Sequence, residues 1–146
     1  MKIAIIVPME EEAEFYKKHF KSENKEVFGT TEFDHFSVNG NDIYLGLSGI
    51  GKVNAAMNLT SLLTKEDIDV IFMTGSAGSL QEDVKRKDLI LPNKFMYYDA
   101  HNTSAGNYVE GQIPQEPAGY TLDNSFRAKF AAYLKEHDIP FKEGLI

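Results

Sequence analysis

The run Val70-Ile71-Phe72-Met73, passing straight into Thr74-Gly75-Ser76-Ala77-Gly78-Ser79-Leu80, constrains the fold more than any other stretch of this chain. Four consecutive apolar residues closed by small ones read as a strand buried on both faces, as in a parallel sheet covered by helices. Small residues at the carboxyl end of such a strand let a ligand approach backbone N–H groups, and open α/β sheets place their sites there. The loop therefore points to a small-molecule site rather than a protein-binding surface.

The rest of the chain alternates strand and helix patterns. Lys2–Val7 reads as the first strand, and Pro8 suits the start of a helix over about 9–20. Met9, Ala13, Tyr16 and Phe20 form one apolar stripe along that helix. Short strands are expected at 26–28 and 32–38, after which Asn39-Gly40 signals a type I′ hairpin into 43–47. A second helix is expected over 51–64. It carries no charged residue from Val53 to Thr64, which predicts cover on more than one side, the second cover being another subunit. Strands at 70–73, 88–91 and 95–98 follow, then a long loop over 99–120, a helix over 122–137 and a strand over 141–146. This order predicts an α/β protein with a mixed sheet, in one domain covering 1–146. The last strand has no helix after it, so either residues outside this sequence complete the fold or that strand lies at an edge.

Composition narrows the classes of function. A chain of 146 residues, 42% hydrophobic and 25% charged, suits one ordinary globular domain. It has no cysteine, which excludes disulfides, thiolate metal sites and cysteine nucleophiles. A net charge of −7 disfavours nucleic acid, and Lys85-Arg86-Lys87 is too short a basic run to offset it. The apolar start is too short for a signal-peptide core, and no stretch approaches the ~20 apolar residues of a membrane helix. A cytoplasmic location is the expectation.

Several motifs bear on chemistry. Gly46-Leu47-Ser48-Gly49-Ile50-Gly51-Lys52 approaches a P-loop, but Val53 stands where a magnesium-binding hydroxyl is needed. The dinucleotide pattern fails because position 54 is Asn. A tight strand-to-helix turn is the better reading. Glu10-Glu11-Glu12 fits a first helical turn, where acidic residues offset the helix dipole. At about 100° per residue, Glu11 points away from the apolar stripe and Glu10 lies on its open side, while Glu12 falls between Phe15 and Tyr16. A carboxylate so flanked is a candidate general base, with a pKa that desolvation is expected to raise. Ser76 lacks the glycine at 74 of a nucleophile elbow, so a ribose or base contact suits it better. His19, His35, His101 and His137 share no metal-ligand spacing and read as surface residues. Asp99, after Tyr97-Tyr98, reads as a residue that holds the following loop.

Taken together, these segments resemble the bacterial 5′-methylthioadenosine/S-adenosylhomocysteine nucleosidases of the nucleoside phosphorylase-like superfamily. The resemblance lies in Met1-Lys2-Ile3-Ala4-Ile5-Ile6 leading to Met9-Glu10-Glu11-Glu12, in Ser48-Gly49-Ile50-Gly51-Lys52-Val53, and in Thr74-Gly75-Ser76-Ala77-Gly78. Tyr98-Asp99-Ala100 and Gly111-Gln112-Ile113-Pro114 add to it. It implies a three-layer α/β/α fold with a central mixed sheet, and hydrolysis of the N-glycosidic bond of thio-substituted adenine nucleosides. It further implies Glu12 as the water-activating base, Met9 and Ile50 lining the ribose and alkylthio pocket, and Ser76, Ala77 and Gly78 beside the nucleoside. A homodimer is implied, with no metal or organic cofactor and with neither nucleic acid nor membrane as partner.

Two departures from the family pattern stand out. Family chains run on past the position of Ile146 and supply there the acid that protonates adenine. The fold is accordingly expected to be incomplete at its C-terminal end, and a polypeptide of 146 residues to be inactive. His101, Asn102 and Ala105 are also more polar or smaller than the residues that usually close the alkylthio pocket. The alternatives are a phosphorylase of the same superfamily, which would need convergent cations for phosphate, and a non-catalytic module for nucleoside binding or dimerisation.

Overall fold

The computed structural model describes residues 1–122 and 124–146. The chain divides into two compact units, Met1–Gly78 and Ser79–Ile146.

The first unit is built on a five-stranded mixed sheet. Its elements are β1 (Lys2–Val7), α1 (Glu10–His19), β2 (Asn24–Phe28), β3 (Thr31–Val38), β4 (Asn41–Leu47), α2 (Lys52–Leu63) and β5 (Val70–Met73). The strand order is β2-β3-β4-β1-β5. β1 runs parallel to both β4 and β5, and β2, β3 and β4 form an antiparallel meander. The β3–β4 turn has positive φ at both Asn39 (51°) and Gly40 (74°), the geometry expected of a type I′ hairpin.

Strand alternation sorts side chains to the two faces of this sheet. Ala4 and Ile6 join Phe28, Phe33, Tyr44 and Leu62 in one buried cluster, against which Leu59 of α2 packs. Val7, Ile43 and Leu45 join Phe36 and Ala13 in the other, with Tyr16 and Phe20 of α1 packed on it. Of the expected stripe, Ala13, Tyr16 and Phe20 face inward from α1 and its C-cap, Phe20 stacking on Phe36 at 5.2 Å, while Met9 is the N-cap and joins neither cluster. The unit has helix, sheet and helix layers.

β5 departs from the expectation of burial on both faces. Ile71 and Met73 are 45% and 63% exposed. β5 stands at the edge of its sheet, and neither core cluster contains any of its residues.

The second unit holds a three-stranded sheet of order β7-β6-β8, from β6 (Ile90–Phe95), β7 (Tyr120–Thr121) and β8 (Lys142–Leu145), with α3 (Ser125–Glu136) preceding β8. β8 runs parallel to β6, and β7 runs antiparallel to it. Two short strands were expected where β6 forms one. The chain passes through Pro92, whose missing N–H is accommodated at a register shift between Pro92 and Lys94. Tyr97 and Tyr98 consequently lie beyond the strand. α3 starts later than expected because the Asn124 side chain caps it, accepting the Arg127 N–H at 2.9 Å. The earlier part of that expectation includes Asp123, outside the described residues.

Candidate active site

Three adjacent parallel strands, β4, β1 and β5, end level with one another. Val7 is in register with Leu47, and Ile6 with Met73. The loops leaving them therefore emerge side by side at the carboxyl end of the sheet, where ligands bind in this class of fold. They carry the residues that the resemblance implies for the site: Met9 and Glu12 after β1, Ile50 after β4, and Ser76, Ala77 and Gly78 after β5.

Within the acidic triplet the three carboxylates diverge as the helical geometry requires. Glu10 pairs with Lys17 at 2.7 Å, Glu11 is exposed, and Glu12 is half-buried. Ser76 grips Glu12 with both of its donors. Its N–H lies 2.6 Å and its hydroxyl 2.7 Å from the same oxygen, Oε1. Oε2 is buried and has no hydrogen-bond partner among the described residues. Gly75 permits this approach, since a Cβ there would stand 3.0 Å from Oε1 and 3.1 Å from Oε2.

The pKa of Glu12 moves opposite to the sequence expectation. The Ser76 N–H, followed by the Ser76 hydroxyl, holds it below the ordinary carboxylate value against the smaller opposing effect of burial, and the Met9 N–H adds to the lowering. The aromatic flank suggested desolvation, but donors to the charged form dominate. Glu12 is an anion at neutral pH, as a proton acceptor must be.

The loop carrying Ser76 is held at its root. Thr74 N–H donates to the Ile6 carbonyl at 3.1 Å, extending the β1–β5 ladder by one bond. The Thr74 hydroxyl lies 3.2 Å from the Tyr16 hydroxyl on α1. Beyond Ser76, Ala77 and Gly78 are exposed, and a Cβ at Gly78 would have nothing within 4 Å.

The β4–α2 turn is a fixed structure, not a phosphate cradle. Ser48 N–H donates to Val7 C=O at 2.9 Å, and the Asn58 amide donates to Ser48 C=O at 2.6 Å. The Thr31 hydroxyl in turn donates to Asn58 Oδ1. Gly49 and Gly51 adopt φ of 76° and 104°, the region that favours glycine. Between them Ile50 is exposed, whereas Met9 is half-buried. Asn58 lies buried in α2, on the stretch from Val53 that carries no charge, and nothing in the sequence analysis marked it.

The remaining candidates serve structure. His35 is half-buried on β3, its ring 4.8 Å from that of Tyr44 and its Nδ1 2.9 Å from Asn24 Oδ1, so it is not a surface residue as expected. His19 and His137 are exposed helix ends, each bonded through Nδ1 to the carbonyl four residues earlier. In the second unit His101 pairs with Glu110, and the Asn102 amide donates to Gln112 C=O at 2.8 Å. The polar residues of that loop close it on itself. Among the described residues no group of three or more His, Asp or Glu is placed to hold a metal ion, and no helix is long and apolar enough to cross a membrane.

The mixed sheet with a helix on each face makes the first unit an α/β fold, and residues 2–146 match the Phosphorylase superfamily, to which the chain belongs. It is similar to the 5′-methylthioadenosine/S-adenosylhomocysteine nucleosidase of Staphylococcus epidermidis, 36% identical over 144 residues. That match takes in 99% of this chain and 63% of the relative. The corresponding protein of Bacillus licheniformis is 38% identical over 125 residues, 86% of this chain and 54% of the relative. Among solved structures, the nucleosidase of Helicobacter pylori superposes with a TM-score of 0.92 at 25% identity, covering 99% of this chain and 62% of that one. The Neisseria meningitidis nucleosidase in complex with methylthio-immucillin-A gives 0.87 at 32% identity, with the same coverage. The chain thus spans less than two-thirds of the length of these relatives.

Proposed function

We propose that this chain forms the water-activating part of a single-domain nucleosidase that hydrolyses 5′-methylthioadenosine and S-adenosylhomocysteine, releasing adenine. The observation that carries this is the asymmetry of Glu12. Ser76 holds Oε1 with two donors, and Oε2 stands buried with no hydrogen-bond partner among the described residues. An anionic carboxylate fixed by one oxygen keeps the other without a donor, and that oxygen is the one assigned to the attacking water. As the C1′–N9 bond of the nucleoside lengthens, the water oxygen bonds to C1′ and Oε2 takes the water proton. The bonding pair goes to N9 of adenine, which departs as its anion and takes up a proton, while Glu12 loses the one it took from water and is restored as a carboxylate. Met9 and Ile50 line the ribose and alkylthio side, and Ala77 and Gly78 offer backbone to the nucleoside. Ser76 takes part through Glu12, since both of its donors are committed there.

The names of the similar proteins support the substrate class, as does the nucleoside analogue bound to the Neisseria structure. We further propose a cytoplasmic homodimer. Water is favoured over phosphate as acceptor: neither the 9–12 stretch nor the 74–78 loop carries a cationic residue, and a phosphate site needs convergent ones.

The test follows adenine release by chromatography, with the natural protein at full length, each nucleoside in turn, and phosphate present or absent. Release independent of phosphate is expected, reduced by at least about 100-fold in Glu12→Gln. Release that requires phosphate, or survives in Glu12→Gln, counts against the assignment.

A further inference from the structure

Two side-chain pairs join α1 to the end of β5, and only one of them includes the reacting carboxylate. Glu12 meets Ser76, and one helical turn further on Tyr16 Oη lies 3.2 Å from Thr74 Oγ1. The i, i+4 spacing puts Glu12 and Tyr16 on one face of α1. Thr74 and Ser76 are two apart in the chain that continues β5. The pairs are therefore successive rungs between the same two segments.

The rungs differ in their surroundings. Tyr16 and Thr74 are half-buried, and Thr74 is tied to β1 through its N–H bond to Ile6. Ser76 is exposed, in a loop with Gly75 before it and Gly78 after it, where the backbone has wide conformational freedom. The rigid rung thus sets the root from which the flexible one departs. The Tyr16 ring packs on the apolar cluster beneath α1, so its hydroxyl is the one part not accounted for by core packing.

We propose that Tyr16 is a positioning residue for the hydrolysis, fixing through Thr74 the root of the 74–78 loop so that Ser76 holds Glu12 by one oxygen and leaves the other to water. This rests on Glu12 being the base. The groups acting on the Glu12 charge are the Ser76 N–H, the Ser76 hydroxyl and the Met9 N–H; on its own helix Glu10 is paired with Lys17, and Glu11 is exposed. Loosening the loop weakens the Ser76 donors and returns Glu12 toward its ordinary pKa.

The experiment compares Tyr16→Phe, Thr74→Val and Thr74→Ser in the natural full-length protein. Tyr16→Phe keeps the buried ring and removes only the hydroxyl, so the fold is retained. Tyr16→Phe and Thr74→Val are each expected to lower kcat about fivefold, the equivalent of one net hydrogen bond, with KM moving less than about twofold. The double variant falls no further than either single one, because both break the same bond. Thr74→Ser keeps the hydroxyl and the parental kcat. The acidic limb of the kcat pH profile moves to higher pH in Tyr16→Phe and Thr74→Val. Carbon-detected NMR titration of the Glu12 carboxyl, without substrate, moves the same way. Glu12 titrations that coincide with the parent's, or a kcat loss shared by Thr74→Ser, overturn the proposal. Since the titration needs no turnover, a parent protein that releases no adenine defeats the nucleosidase reading and leaves the Tyr16 test intact.

Discussion

Glu12 and Ser76 are 64 residues apart in sequence, and the parallel pairing of β1 with β5 makes them neighbours. Their bond couples the charge of the site to the stability of the fold. Because Ser76 lowers the Glu12 pKa in the folded state, the anchored anion stabilises that state above the unfolded carboxylate value, 4.5. The contribution disappears as pH falls through the lowered value. The gap in melting temperature between the parent and Glu12→Gln is therefore expected to be constant above about pH 6 and to shrink below about pH 4.5. A gap that is unchanged down to about pH 3 contradicts the anchor. Half of this site was legible in the sequence. Helical spacing alone singled out Glu12 from Glu10 and Glu11, and small residues marked the Ser76 loop. The bond between them was not legible, because no local pattern records which loop faces which helix. The direction of the pKa shift was misjudged for the same reason: aromatic neighbours in sequence suggested burial, and the donors come from a distant strand.

Among the elements, β4 shows how a glycine can be a packing residue. Gly46 pairs across the ladder with Phe33, whose fully buried ring lies over it. A Cβ at Gly46 would come within 2.2 Å of that ring. The ring cannot yield, because it also packs edge-on against Phe28 at 5.5 Å within a closed cluster. Gly46→Ala is expected to destabilise the fold by about 1–3 kcal/mol, as overpacking does. Urea unfolding should show it as a lower midpoint at unchanged slope; an unshifted midpoint would mean that Phe33 has another rotamer available. Element existence was mostly legible: β1, β5, the Asn39-Gly40 hairpin, α1 and α2 fall where spacing and turn residues put them, and α3 differs at its start. Strands were expected at 88–91 and 95–98, though a register shift carries the single strand β6 through Pro92. The uniform apolar run of β5 read as doubly buried, though its place at the sheet edge, a matter of strand order, leaves Ile71 and Met73 exposed.

At the scale of the whole molecule, α2 exposes apolar residues that call for cover. Its inward side buries Asn58 and Leu62, while Val53, Met57 and Leu63 are 71%, 56% and 43% exposed. Val53 and Met57 are one turn apart on a single face, and no charge between Val53 and Thr64 opposes association. Self-association by a twofold axis buries the same patch on both copies at once, and a stable interface needs about 800 Å² from each. Val53 and Met57, with the exposed Ile50 just before the helix, suit the centre of such a contact. Introducing a carboxylate there forces two like charges together across the axis. Met57→Glu is expected to weaken the proposed dimer by at least about 2 kcal/mol, roughly a 30-fold rise in dissociation constant, and Val53→Glu similarly. Neither residue belongs to a core cluster, so the dissociated variants should still unfold cooperatively. Sedimentation of the full-length protein at micromolar concentration decides the matter: a monomeric parent, or a Met57→Glu variant that stays dimeric, removes α2 from the interface.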